Sequence, residues 1–129
     1  MADMNRGNRP LSPFMLGPYY RLQLTSVTSI LTRITGNALM VGTLLVVWWF
    51  IAAATSPEAF ARADGFMTSW FGKLVMLGSI WALWYHSLAG IRHLIWDSGH
   101  MLDIRQAEKL GWAVIAGSVL LTLLTVVIL

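Results

Sequence analysis

The chain has 129 residues, 57% of them hydrophobic and only 12% charged, with a mean hydropathy of +0.64. A soluble domain carries about 25% charged residues, so this composition describes a membrane protein of one small domain. The net charge of +3 comes from basic residues too dispersed for nucleic acid, and the absence of Cys excludes disulfides, thiolate-bound haem and iron–sulfur clusters held by this chain.

Residues 1–24 read as an extended polar segment, because Pro10, Pro13 and Pro18 prevent a regular helix and the polarity is wrong for a signal peptide. Three apolar stretches follow, at about 27–55, 66–96 and 110–129. Each is long enough for a bilayer, which needs about 20 apolar residues. Between the first two, Ser56-Pro57-Glu58 is a helix-start signal, followed by a short polar piece around Arg62 and Asp64. Ser98-Gly99 ends the second stretch, and Asp103 to Lys109 read as a charged loop. The expected fold is all-α: a polar N-terminal docking segment over 1–24, then a three-helix transmembrane bundle over 25–129.

Basic residues near span ends set orientation. Arg6, Arg9, Arg21 and Arg33 lie around the start of the first span, and Arg92, Arg105 and Lys109 lie around the end of the second. The connection after the first span has only Arg62 and Lys73, so the expected N-terminus is inside and the C-terminus outside. Trp48, Trp49 and Trp70 then fall at the outer interface and Trp96 and Trp112 at the inner one, while Trp81, Trp84 and Tyr85 lie deeper, against a helix or a cofactor. Three such helices leave polar faces unsatisfied in lipid, so a second membrane subunit is expected.

The segment His86–Asp97 (HSLAGIRHLIWD) places two histidines, an arginine and an aspartate at the end of an apolar helix. Ionisable groups at membrane depth cost roughly 2.5–3.5 kcal/mol each on insertion scales. A neutral imidazole tolerates burial and ligates haem iron, and Gly90, one turn after His86, admits a flat macrocycle. The plainer reading is a histidine bonded to a neighbouring helix, with Gly90 as a packing contact. His93 shares the face of His86 two turns on, so the two cannot bind one iron from opposite sides; a second axial histidine must come from another chain. His93 suits a haem propionate, or simply the interface. Arg92 points elsewhere, toward Asp97, a propionate or a lipid phosphate, and His100 receives no role.

Ser29 and Arg33 are i and i+4 at the inner end of the first span. A hydroxyl and a guanidinium there suit a quinone, one bonding its carbonyl and the other stabilising negative charge as it is reduced; an ordinary polar helix start is the alternative. Arg9-Pro10-Leu11-Ser12-Pro13 reads as a docking strip for a partner domain or as a disordered terminus.

These motifs resemble the cytochrome b membrane-anchor subunits of succinate dehydrogenase (complex II). The resemblance rests on Arg9–Pro13 with Tyr19 or Tyr20 after it, on Ser29–Gly36, and most specifically on His86–Gly99, and it extends over nearly the whole chain. It implies one haem b shared with a second small anchor subunit, His86 being the axial ligand on this side. It places His93, Arg33 and Thr32 near the propionates, and Ser29 and Arg33 at a ubiquinone site. It further implies an iron–sulfur subunit, a flavoprotein subunit that oxidises succinate, and an inner membrane, bacterial or mitochondrial, with the N-terminus on the cytoplasmic or matrix side. Phe14 and Thr32 stand where many members have histidine, and Thr32 can offer a hydrogen bond but no charge. The alternatives are a quinol:fumarate reductase anchor, a cofactor-free structural anchor, or a small transporter using His86 and His93; no inverted repeat supports the last.

Overall fold

The computed structural model describes residues 21–128; the Arg9–Pro13 strip, Phe14, Tyr19 and Tyr20 lie outside the described residues. Four helices follow in order: α1 (Leu24–Thr55), α2 (Pro57–Thr68), α3 (Trp70–Asp97) and α4 (Ile104–Ile128). Three of them, α1, α3 and α4, are long and apolar enough to cross a membrane. α1 and α3 run antiparallel, as do α3 and α4, so the start of α1, the end of α3 and the start of α4 share one end of the bundle. Cross-helix contacts record that register: Tyr85 meets Thr28 near this end, and Gly42 meets Ser79 farther along.

The breaks have local causes. Ser56 caps α2 by accepting from the Ala59 N–H at 3.1 Å, with Pro57 at the first helical position, as the Ser-Pro-Glu pattern leads one to expect. The expected second span began at residue 66, but Phe66, Met67 and Thr68 belong to α2. Ser69 starts a new helix, its hydroxyl accepting from the Gly72 N–H at 3.1 Å. The apolar run conceals this corner because hydropathy does not register a cap. α3 ends where Gly99 adopts φ +79°, with Gly99 N–H donating to the Trp96 carbonyl and His100 N–H to that of Ile95. The expected charged loop at 103–109 is helical from Ile104 onward. Arg, Gln, Ala, Glu and Lys are good helix formers, so polarity there marks a solvated first turn and a half rather than a loop.

The aromatic residues at the α1–α2–α3 corner interlock. Trp48 packs edge-on against Phe66, Trp49 lies 5.4 Å from Phe60, and the Trp49 indole N–H donates to Asp64 at 3.3 Å. Clustered indoles with one polar handle suit a membrane–water boundary, so α2 reads as a short helix lying there.

Burial along the spans is thin and falls mostly on small residues: Thr28, Thr35 and Gly42 of α1; Ala82 and Ala89 of α3; Gly111 and Ser118 of α4. Small side chains let helix backbones approach where lipid provides no hydrophobic drive. Tyr85 and Arg92 are large exceptions, Tyr85 being fully buried at the three-helix junction with Ala89 and Val114.

Gly72 tests the corner. A Cβ there would collide with the backbone carbonyl of Phe66 and lie 2.6 Å from that of Met67, neither of which can yield without moving α2. Gly72→Ala should destabilise the assembled protein by at least the ~1–3 kcal/mol of an overpacked core. Gly65→Ala, which meets nothing within 4 Å, should be tolerated; thermal unfolding of both variants checks the pair.

Candidate functional site

His86 is half-buried on α3 and turned toward α1. Its Nδ1 lies 3.1 Å from the Thr32 carbonyl oxygen and 3.4 Å from the Thr35 hydroxyl. A carbonyl only accepts, so Nδ1 carries the ring proton and donates it. The Thr35 hydroxyl donates into its own helix, to the Leu31 carbonyl at 2.8 Å, which leaves its lone pairs toward the ring. The tautomer that follows presents an unprotonated Nε2, and no described residue bonds to it.

The residue before it is anchored as well. Tyr85 is fully buried, packs with its ring tilted 45° to that of Trp81 at 5.5 Å, and donates its hydroxyl to the Thr28 carbonyl at 3.1 Å. Trp84 donates its indole N–H to the Thr125 hydroxyl of α4 at 2.9 Å. The deep aromatic residues thus pack within this chain and clamp the helix that carries His86. Gly90, one turn on, is exposed, and a side chain there would meet nothing within 4 Å. It is therefore no packing contact among these helices, and the wall beside His86 is flat and open.

The other predicted positions fall around this wall. His93 is exposed on the same face, two turns beyond His86, with its ring edge-on to Trp96 at 5.4 Å. Thr32 places its carbonyl on His86 while its hydroxyl donates to the Thr28 carbonyl at 2.8 Å. Ser29 and Arg33 are both exposed on α1. Asn37, one turn deeper, is exposed too and extends their stripe. Continuing the four-residue spacing of Ser29 and Arg33 reaches it directly.

Arg92 differs most from expectation. It is 3% exposed, lies with its guanidinium 4.7 Å over the Trp96 ring, and has an Nε without a hydrogen-bond partner. Its spacing from Tyr85 and Ala89 places it on the core face, a signal that its charge obscured. Stacking on an indole offsets part of the desolvation of a guanidinium.

The architecture can be set beside known proteins. Residues 5–125 match the succinate dehydrogenase/fumarate reductase transmembrane subunit family. The chain is 57% identical over 128 residues to the succinate dehydrogenase cytochrome b556 subunit of Paracoccus denitrificans, covering 99% of this chain and 97% of that one. It is 37% identical over 116 residues to the cytochrome b556 subunit of Rickettsia conorii, covering 90% and 89%. It is 32% identical over 126 residues to the succinate dehydrogenase cytochrome b560 subunit of Reclinomonas americana, covering 94% and 86%.

Tyr85→Phe isolates the clamp. It removes one buried donor from the Thr28 carbonyl and should lower stability by about 1 kcal/mol, seen as a lower unfolding midpoint with the helical signal intact.

Proposed function

The chain belongs to the succinate dehydrogenase/fumarate reductase transmembrane subunit family, and on that premise we propose that it serves succinate dehydrogenase as a haem b-binding membrane anchor, with His86 as its axial ligand. The observation that carries the ligand assignment is the Nδ1 hydrogen bond to the Thr32 carbonyl. Metal-bound histidines almost always donate their second ring N–H to a carbonyl, a carboxylate or water, which fixes the tautomer and raises the basicity of the coordinating nitrogen. The open wall at Gly90 gives a planar group room beside that nitrogen.

The donor set fits haem b, which would supply a one-electron carrier, and His86 Nε2 is the nitrogen this chain would offer its iron. The chain's other histidine on that face, His93, is two turns away and is assigned to a propionate together with Arg33, with Thr32 close by. The second ligand belongs to a second small anchor subunit, and the exposed faces of α1 and α3 are where that subunit packs.

Ser29 and Arg33 are assigned to ubiquinone. The Ser29 hydroxyl donates to a quinone carbonyl, and the Arg33 guanidinium holds negative charge on the ring oxygen until a proton arrives. Both stand at the inner end, the cytoplasmic or matrix side by the distribution of Arg and Lys. There an iron–sulfur subunit, fed by a flavoprotein subunit that oxidises succinate, can deliver electrons.

His86→Ala in the purified complex should abolish or strongly shift the haem absorption; an unchanged reduced spectrum removes His86 from the ligand role. Ser29→Ala and Arg33→Leu should each slow quinone reduction by about 10- to 100-fold, the equivalent of a charged hydrogen bond. Oxidation of succinate with an artificial acceptor that bypasses the quinone should stay intact. Equal loss of both activities would indicate failed assembly.

A further inference from the structure

We infer that Gly36 is a positioning residue for the His86 ring, and that through it the backbone of α1 sets how strongly the histidine binds iron. This rests on the reading of His86 as an axial ligand.

A Cβ built on Gly36 would lie 3.1 Å from His86 Cε1 and 3.6 Å from Nδ1. The first distance is inside ordinary van der Waals contact, so any larger residue must push the ring away from α1. In its present position Nδ1 reaches the Thr32 carbonyl at 3.1 Å, with Thr35 Oγ1 at 3.4 Å. Neither element can follow the ring outward. Thr35 beneath it is 1% exposed, and Tyr85 beside it is fully buried and bonded to the Thr28 carbonyl. A displaced ring therefore stretches its own hydrogen bond, already near the long end of the usual N–H···O range.

The consequence has a sign. Donation from Nδ1–H to a carbonyl makes Nε2 a stronger electron donor. A stronger donor favours the oxidised iron, so weakening that bond should favour the reduced iron and raise the midpoint potential. Thr35 contributes in the same sense through its longer contact.

The test uses the intact purified complex, with haem content, the electron paramagnetic resonance spectrum of the oxidised haem and a redox titration as readouts. Gly36→Ala should retain the haem, alter the low-spin signature and shift the midpoint upward. Thr35→Val, which keeps the side-chain shape but deletes the acceptor, should shift it upward by less. Gly65→Ala, on α2 with nothing within 4 Å of the added carbon, should match the wild type. If Gly36→Ala and Thr35→Val both leave spectrum and potential unchanged while His86→Ala removes the haem signal, the positioning role is refuted and the ligand assignment stands. An unaltered spectrum in His86→Ala refutes the ligand assignment itself. Should Gly36→Ala fail to assemble, Thr35→Val decides: an upward shift supports the role and an unchanged midpoint overturns it.

Discussion

Of the hydrogen bonds between α1 and α3, the one from His86 Nδ1 to the Thr32 carbonyl constrains the remaining geometry most. In hydrocarbon no water can satisfy an imidazole N–H, so the ring must find its acceptor in protein. A helix carbonyl has a second lone pair available beyond its own ladder bond. Reaching it requires the two helices to lie close, and the interface is built accordingly from Thr28, Thr35, Gly42 and Ala82. Tyr85 then fixes the height of α3 against α1 by its bond to Thr28. Close approach, tautomer and direction of Nε2 are thus one arrangement seen at three scales.

The same thinness that permits close approach leaves the bundle incomplete. No more than 22% of the most apolar stretch of any spanning helix is buried. On its exposed side α1 shows Ser29, Arg33 and Asn37, and α3 shows Gly90 and His93. Polar groups facing lipid are costly, so these faces call for contacts other than acyl chains. Arg92 behaves differently. Buried in the junction and stacked on Trp96, it faces the interior of the bundle and takes no part in the open face.

Much of this was legible in the residues. The lengths of the apolar runs disclose three spans, and the two-turn spacing of His86 and His93 puts them too far apart on one face to bind one metal from opposite sides. The corner at Ser69 was not legible, because Phe66 to Thr68 and Trp70 to Phe71 are equally apolar on both sides of a cap. Nor was the helical start of α4, where charge suggested a loop although each residue favours helix. The Thr32 carbonyl was hidden for a deeper reason: a backbone acceptor has no letter in the sequence, and Thr32 draws attention to its hydroxyl, which instead bonds its own helix.

The most direct test is a structure of the complete membrane complex with its haem in place. Expected is iron bonded to His86 Nε2, with Nδ1 still on the Thr32 carbonyl and the opposite axial ligand supplied by another chain. Iron bonded to His93, or a His86 ring turned away from α1, would contradict it.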